Sequence, residues 1–318
     1  LENDGEATAD GDMSETADED SAGTDGDTDT GESVEESENQ GEQDAEEVPF
    51  VPADCLSDAG CTRVMVAAHR GYHAEFPDNT LAAVRAAFDI GADFVEVDVL
   101  ETADDVLVLS HENNLADITD GTGSISESNW DDIKKLNVKG GDSGNPESAH
   151  LATFADALAM ARDYGRMLYV DVKTGRGDLI VEAIRSGNYY KEALVRDEIE
   201  NLLPMLQIDS NLLVMPPVDN AEHFDSVISQ HAAPIVEIAQ IGPNAELGAY
   251  IKGNGVKIQQ DVMGYGDLRV FASGDYSGWK EFVEAGVLLL QTDMPDLLIP
   301  AVRQYNRSGV FPESAPED

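Results

Sequence analysis

Histidines and an arginine follow short apolar runs in the first half of the sequence. His69 and Arg70 come directly after the run 64–68, and His111 comes after the run 106–110. Histidine exchanges protons near neutral pH, and arginine binds anions with a planar fork of donors. These residue types at the ends of apolar runs are typical of acid–base chemistry on an anionic substrate.

Carboxylates lie inside two further apolar runs. Glu96 and Asp98 are two residues apart in "FVEVDV" (94–99), and Asp171 and Lys173 have the same spacing in "MLYVDVK". Residues two apart in a strand point to the same face, while the intervening valines point to the other. Paired carboxylates repel each other when buried unless a cation neutralises them. Three inward carboxylates without a thiolate match a hard divalent cation, calcium or magnesium, bound through oxygen.

The chemistry that these residues favour is phosphodiester hydrolysis. A divalent metal polarises phosphoryl oxygens, and Arg70 and Lys173 can offset the charge that spreads over them. Two histidines can divide the proton transfers, one acting on the nucleophile and the other on the leaving alkoxide. Singly, each of these residues has a structural alternative: a solvated face or internal salt bridge for a carboxylate pair, a hydrogen-bonded structural role for a histidine. Their joint occurrence at four strand ends favours a site, and His73 is left as a loop residue near its entrance.

Short apolar runs alternate with amphipathic stretches from residue 63 onward. The runs predicted as strands are 64–68, 94–99, 106–110, 167–173, 211–216, 233–239, 255–261 and 287–293. The stretches predicted as helices are 79–91, 128–136, 153–165, 177–187, 244–252 and 278–286. Asn79 or Thr80 can cap the first of these, and Gly91 ends it.

Eight buried strands separated by helices over about 250 residues predict an α/β fold, a (β/α)8 TIM barrel. A doubly wound open sheet is the alternative that periodicity leaves open. The run "LRVFASG" (268–274) is a ninth strand candidate, which leaves the strand numbering near the end open. In a barrel the predicted site residues would meet at the carboxyl ends of the strands.

Charge is strongly unbalanced: 64 Asp and Glu face 19 Lys and Arg, a formal charge of −45. Residues 1–50 hold 20 of the acids and no base, which leaves 44 acids, 19 bases and a charge of −25 for the remainder. Such a surface repels phosphates, so nucleic-acid binding is excluded as a function class. The first 50 residues are too polar to bury a core and are predicted to be a disordered tether.

The predicted domains are the tether 1–50, an entrance segment 51–63, a barrel domain 64–305 and a tail 306–318. The entrance segment contains Cys55 and Cys61, for which a disulfide is favoured over two free thiols. A disulfide behind an acidic tether predicts an extracytoplasmic protein, secreted, periplasmic or surface-anchored. The sequence starts at Leu1, from which we expect that a preceding segment has been removed. Any membrane association would depend on an anchor in that segment, and the oligomeric state is left open.

Several motifs in order resemble one enzyme family over about residues 64–300. "HRG-x5-PDNTLAA", "GADFVEVDVLETAD", "LVLSHE", "LYVDVK" and "AGVLLLQTDMPDLL" resemble the motifs of the glycerophosphodiester phosphodiesterases. The resemblance implies a (β/α)8 barrel with one divalent metal, acting on a small-molecule glycerophosphodiester. It implies Glu96, Asp98 and Asp171 as metal ligands, His69 and His111 as the acid–base pair, and Arg70 and Lys173 as phosphate contacts.

The sequence departs from the family pattern at four acids. Asp78 and Asp171 each replace a usual Glu, Glu112 replaces a usual Asp, and Asp105 replaces a usual Gly. Because no acid is lost, hydrolysis to glycerol 3-phosphate and an alcohol is the predicted function. Two alternatives are weighed: a lipid phosphodiesterase similar to phospholipase D or sphingomyelinase D, and a non-catalytic phosphodiester-binding module on an acidic stalk.

Overall fold

The alternating runs fold into strands and helices over residues 50–315, the part of the chain that the computed structural model describes. The predicted tether therefore lies outside the described residues, apart from Phe50. The strands are β1 (Met65–Ala68), β2 (Phe94–Glu101), β3 (Leu107–Leu109), β4 (Met167–Val172), β5 (Ala193–Arg196), β6 (Leu213–Met215), β7 (Pro217–Val218), β8 (Ile235–Ile238), β9 (Lys257–Asp261) and β10 (Leu289–Thr292).

Helices follow most strands. They are α1 (Pro52–Ser57), α2 (Leu81–Ile90), α3 (Leu115–Ile118), α4 (Trp130–Ile133), α5 (Pro146–Ala149), α6 (Phe154–Tyr164), α7 (Gly177–Gly187), α8 (Ile199–Ile208), α9 (Ala221–Gln230), α10 (Ala245–Gly253), α11 (Leu268–Ser273), α12 (Ser277–Glu284) and α13 (Pro295–Ser308). Thr80 caps α2 by accepting a hydrogen bond from the Ala83 N–H, and Gly91 ends it in the left-handed conformation, as predicted. Within residues 50–315, no helix combines the length and the apolar character needed to cross a bilayer.

The strands close into a parallel barrel. Neighbours follow the order β6–β5–β4–β2–β1–β10–β9–β8–β7. The two ends of this path, β6 and β7, are separated in the chain only by Pro216, whose carbonyl accepts a hydrogen bond from Glu237 N–H. They therefore occupy one strand position in the barrel, and the barrel has eight such positions. The predicted fold class is confirmed, and the open-sheet alternative is not.

The run 106–110 forms a strand as predicted, but its predicted place in the barrel is wrong, and one barrel strand was not predicted. The run 106–110 is not one of the parallel barrel strands, because β3 pairs antiparallel with the outer end of β2. Only residues 102–106 separate these two strands, which is too short for a parallel crossover but sufficient for a hairpin. The eighth parallel strand of the barrel is β5, which was not predicted from the sequence.

Two further segments also differ from prediction. The run 268–274 is helix α11, which buries Val270, exposes Leu268 and Phe271, and ends at Gly274 with φ +70°. Leu268 and Phe271, three residues apart, lie on one exposed face, which is the helical period. In a strand, Leu268 and Val270 would instead share a face. The helix predicted over 128–136 is shortened to α4, because Ser128 belongs to the preceding turn.

Side chains of the barrel strands alternate between two apolar layers. Val95, Val97 and Val99 of β2 pack outward against the helices. Inside the lower barrel, Phe94 and Met215 pack against Leu56 of α1, so this short helix plugs the amino-terminal end of the barrel. With its lower half filled by apolar side chains, the barrel has room for polar groups only near its carboxyl end.

Both ends of the domain are fastened to the barrel. The predicted disulfide is confirmed: Cys55 and Cys61 are bonded, with Cα atoms 5.3 Å apart. At the other end α13 runs past residue 305, so that the predicted tail begins inside a helix. Phe311 is buried, and Glu313 O accepts a hydrogen bond from Tyr276 N–H.

Candidate active site

The strand register brings three carboxylates together inside the barrel. Asp98 of β2 lies beside Asp171 of β4 in the parallel ladder, and Glu96 lies one inward position below Asp98. Glu96 and Asp98 are 3% and 1% exposed, and one oxygen from each of the three groups lies within 4.8 Å of the others. The alternation that places the valines outside thus places all three acids inside, as predicted.

This carboxylate group is electrostatically costly. Burial raises the pKa of Glu96 well above its ordinary value, and the charges of Asp98 and Asp171 raise it further. Such a site favours either protons or a multivalent cation. All the ligand atoms are oxygens, which is the donor set of calcium and magnesium. The residues present therefore fit the predicted divalent metal.

Three cations contact this group, and one of them is Arg196, whose Nη1 lies 3.6 Å from Asp171 Oδ1. Lys173 Nζ lies 2.6 Å from Asp171 Oδ2 and 3.3 Å from Asp98 Oδ1. Arg70 Nε lies 3.2 Å from Asp98 Oδ2, although the N–H is not aligned for a hydrogen bond. Burial alone would lower the pKa of Lys173, but contacts with Asp171 and Asp98 raise it. Lys173 is therefore held in its charged form beside the acids.

The turn after β1 depends on a glycine. Arg70 has φ +52° and Gly71 has φ +86°. A Cβ atom on Gly71 would come within 2.6 Å of the backbone carbon of Ala83, so only glycine fits there. The turn directs the Arg70 N–H at Glu96 Oε2, at 2.9 Å.

Asn79 is a site residue that the sequence analysis assigned only to helix initiation. It is buried with φ +57°, and its amide Nδ2 donates to Asp98 Oδ2 at 2.9 Å. Its Oδ1 accepts from the Asp98 N–H at 3.1 Å. This double hydrogen bond fixes the orientation of the Asp98 carboxylate.

His69 is oriented by an acid from the neighbouring strand. Its Nδ1 lies 2.7 Å from Oδ1 of Asp293, which follows β10. His73 lies at the same carboxylate, with Nε2 at 3.0 Å from the same oxygen, and is not the independent loop residue that the sequence suggested. Burial alone would raise the pKa of Asp293, but hydrogen bonds from the two histidines hold it far below its ordinary value. Asp293 therefore stays ionised and leaves Nε2 of His69 on the cavity side, 3.9 Å from Glu96 Oε2.

His111 is positioned by the hairpin of β2 and β3 rather than by one of the parallel barrel strands. β3 runs back toward the barrel, and Ser110 N–H donates to Asp98 O at 2.9 Å. The ring Nδ1 of His111 lies 2.8 Å from Glu112 Oε1, the acid that departs from the family pattern. Another departure, Asp105, has φ +66° in the hairpin turn, where a glycine would be unstrained.

All seven predicted site residues line one cavity of about 200 Å³ at the carboxyl end of the barrel: His69, Arg70, Glu96, Asp98, His111, Asp171 and Lys173. The same cavity contains three charged residues that the sequence analysis did not single out. Arg196 Nε donates to Glu237 Oε2 at 2.6 Å, and Asp261 lies beside them. Burial raises the pKa of both Glu237 and Asp261. The signal for Glu237 was its position inside the apolar run "IVEI", and Arg196 was missed together with strand β5.

Comparisons with known proteins agree with this arrangement. Residues 69–205 match the sequence profile of the Glycerophosphoryl diester phosphodiesterase family. The chain is 34% identical over 133 residues to Glycerophosphodiester phosphodiesterase 1 of Homo sapiens, a match that covers 39% of this chain and 38% of that protein. The chain thus spans about two fifths of the length of this relative.

Solved structures share the fold. A glycerophosphoryl diester phosphodiesterase from Parabacteroides distasonis superposes with a TM-score of 0.64 at 18% identity, covering 84% of this chain and 94% of that one. An Oleispira antarctica phosphodiesterase, solved with the product sn-glycerol-3-phosphate, gives a TM-score of 0.61 at 21% identity over 76% of this chain and 96% of that one. The protein is thus a (β/α)8 barrel of the architecture found in these phosphodiesterases. Over residues 69–205 its sequence is similar to the glycerophosphoryl diester phosphodiesterase family.

Proposed function

We propose that this protein hydrolyses glycerophosphodiesters to glycerol 3-phosphate and an alcohol, with the help of one divalent metal ion. The observation that carries the proposal is the convergence of acids, cations and histidines from four separate chain segments on one cavity. The match of residues 69–205 to the Glycerophosphoryl diester phosphodiesterase family supports the same activity.

The carboxylates Glu96, Asp98 and Asp171 would hold the metal, calcium or magnesium. When bound there, it would supply positive charge to the phosphoryl oxygens. Lys173 and Arg70 border the same acids and line the cavity. Their donors can bind the remaining phosphate oxygens and stabilise the charge that develops in the transition state.

His69 and His111 are suited to the two proton transfers. In each ring Nδ1 contacts an acid, Asp293 for His69 and Glu112 for His111, which leaves Nε2 for the substrate. An adjacent carboxylate fixes the tautomer and stabilises the imidazolium that forms when the ring takes a proton. One histidine accepts the proton of the nucleophile, and the other donates a proton to the leaving alkoxide.

We also propose that the protein works outside the cytoplasm, in the secreted, periplasmic or surface-anchored state. The disulfide between Cys55 and Cys61 supports this location, since such bonds persist in oxidising compartments. Fractionation of the source cells with an antibody to the protein tests it, and recovery in the cytoplasmic fraction alone would contradict it.

The direct test of activity is product identification. The protein is incubated with glycerophosphocholine, glycerophosphoethanolamine, glycerophosphoglycerol and a lysophospholipid, each with magnesium, calcium or chelator. We expect glycerol 3-phosphate and the free alcohol from at least one glycerophosphodiester, only when a divalent ion is present. Turnover of the lysophospholipid alone would point to the lipid alternative, and no turnover of any substrate would point to a binding module.

Substitution of the histidines tests the mechanism. His69→Ala and His111→Ala should each lower kcat about 10²- to 10⁴-fold, the range of a lost general acid or base. His223→Ala is the matched control, because His223 lies on α9 outside the cavity lining. Unchanged kcat in either cavity variant would remove that histidine from the mechanism.

A further inference from the structure

Two histidines and one carboxylate form a second group of convergent ligand atoms beside the carboxylate group. Nδ1 of His69 and Nε2 of His73 face the same oxygen of Asp293, at 2.7 and 3.0 Å. The three ligand atoms all lie within 4.8 Å of one another. Two ligands of one tetrahedral zinc ion are roughly 3.3 Å apart when each bond is about 2.0–2.1 Å. The two nitrogen–oxygen distances are thus about 0.3–0.6 Å shorter than in a tetrahedral zinc site, so the three ligand atoms already lie close to the spacing that one shared ion requires.

The backbone holds these residues in place. His69 and Asp293 follow the paired strands β1 and β10, and His69 N–H donates to Thr292 O at 3.0 Å. Asp293 N–H donates to Asp267 Oδ2 at 2.8 Å. His73 lies in the turn that Gly71 makes possible, with the neighbouring Tyr72 N–H bonded to Ala83 O. The group is preorganised by the same turn that builds the candidate active site.

The donor set differs in kind from that of the carboxylate group. Two imidazole nitrogens with one carboxylate suit zinc and similar transition metals, whereas an all-oxygen set suits calcium and magnesium. The side chains of His69, His73 and Asp293 are 19%, 32% and 41% exposed, so an ion from solution can reach them. Three protein ligands leave a fourth position for water.

We propose that His69, His73 and Asp293 form a zinc site, distinct from the carboxylate site, and that zinc bound there inhibits the enzyme. The inhibitory part rests on the proposed function, because it requires His69 to carry protons. An imidazole that holds zinc through Nδ1 carries its ring proton on Nε2, so Nε2 has no free lone pair with which to accept a proton from the nucleophile. Zinc also displaces the Asp293 hydrogen bond that sets the tautomer of His69.

Binding and inhibition are measured separately. Cobalt(II) absorption and calorimetric titration with ZnCl₂ report binding in wild type, His73→Ala, His73→Gln and the control His223→Ala, all with saturating magnesium. We expect one zinc ion per wild-type or His223→Ala chain, and affinity at least about tenfold weaker in both His73 variants, since a ligand is lost. Equal zinc affinity in wild type and in folded His73 variants would overturn the site.

Activity assays then decide the inhibitory part. Zinc should inhibit wild type, the inhibition should persist as magnesium is raised tenfold, and the His73 variants should need at least about tenfold more zinc. Relief by magnesium would show that zinc acts at the carboxylates and would overturn the inhibitory part. If the protein hydrolyses no substrate, the proposed function fails, while the binding titrations still decide the zinc site.

Discussion

At the scale of single residues, Glu96 shows how function and stability oppose each other. Its folded-state pKa lies above the ordinary value of 4.5, so the folded protein binds a proton there more tightly than the unfolded chain does. The stability contributed by the protonated form is complete below pH 4.5 and is lost as pH rises through the raised pKa. At neutral pH this carboxylate therefore destabilises the metal-free fold.

Replacing Glu96 by Gln should stabilise the metal-free protein. At pH 8 in chelator we expect Glu96→Gln to unfold with a free energy about 0.5–2 kcal/mol above wild type, as is common when a functional charge is removed. The advantage should shrink as the pH is lowered toward 5, because wild type recovers stability as its Glu96 carboxylate becomes protonated. Urea unfolding at both pH values measures this, and an advantage of equal size at pH 5 and 8 would show that charge is not the cause.

Metal binding should reverse the order of stability and make wild type more stable than Glu96→Gln. Saturating magnesium or calcium should raise the Tm of wild type and have a smaller effect on the variant, because a ligand that binds only the folded state stabilises it. Hydrolysis should be lost together with the metal effect. A metal-dependent rise in Tm that is the same in both proteins would argue against Glu96 as a ligand.

Asn79 is predicted to act through Asp98. Asn79→Ala removes both hydrogen bonds to Asp98 and places alanine at φ +57°, so we expect a loss of about 2–4 kcal/mol in the free energy of unfolding. Metal affinity should fall about 10- to 100-fold, as for other partners of ligating side chains. Urea unfolding and metal titration measure the two effects.

Asn79→Gly separates the two contributions, because glycine accepts the left-handed conformation without strain. We expect the glycine variant to recover about 1 kcal/mol of stability relative to alanine and none of the metal affinity. If both variants bind metal like wild type, the orientation of Asp98 does not depend on Asn79.

The sequence could reveal the acids and histidines but not the residues that orient them. Glu96 and Asp98 are recognisable because strand periodicity places them on one face with valines on the other. The contact of His73 with Asp293 joins residues 220 apart in sequence, and no local pattern encodes it. Asn79 was visible but ambiguous, since asparagine before a helix has an ordinary role as a cap.

At the scale of elements, the entrance segment closes one end of the barrel while the chemistry lies at the other. Leu56 of α1 is buried among side chains of the barrel interior, and the disulfide ties Cys55 in α1 to Cys61 just before β1. This separation predicts that stability and activity respond differently when the segment is loosened.

The double variant Cys55→Ala, Cys61→Ala should lower the free energy of unfolding by about 2 kcal/mol, the chain-entropy value for so short a loop. Thermal unfolding with and without reductant measures the loss, and reductant should lower the Tm of wild type but not of the variant. At temperatures where both are folded, kcat should be unchanged. A large fall in kcat would mean that loosening α1 also changes the geometry of the cavity at the other end of the barrel.

The bounds of two long helices were predicted well from sequence, although α8, α9 and α13 were not predicted and one strand was assigned wrongly to the barrel. The bounds of α7 were predicted without error, and α2 was placed within two residues, because caps and apolar spacing are local signals. The barrel strands were confused because β3 and β5 are both short apolar runs. What distinguishes them is pairing: β3 folds back on β2, while β5 lies between β4 and β6, and pairing is not local.

At the scale of the whole molecule, charge opposes the proposed substrate. Residues 51–318, which form the barrel and its flanking segments, carry a formal charge of −25, yet the cavity is meant to receive a phosphodiester. Inside, Arg70, Lys173 and Arg196 face five carboxylates, so the attraction is short-range and depends on a bound cation. The long-range field lowers the local concentration of anions and is screened beyond about 8–10 Å at physiological salt.

The salt dependence of kcat/KM should therefore differ between substrates of different net charge. Glycerophosphoglycerol is an anion, whereas glycerophosphocholine carries a compensating ammonium and has no net charge. With metal held saturating, raising NaCl from about 20 to 200 mM shortens the Debye length roughly threefold and should raise kcat/KM for the anion about twofold or more. The same change should leave kcat/KM for glycerophosphocholine nearly constant, which makes it the internal control for salt effects on the enzyme itself. Parallel responses of the two substrates would mean that the acidic surface does not govern access, and that salt acts on the cavity or on the metal.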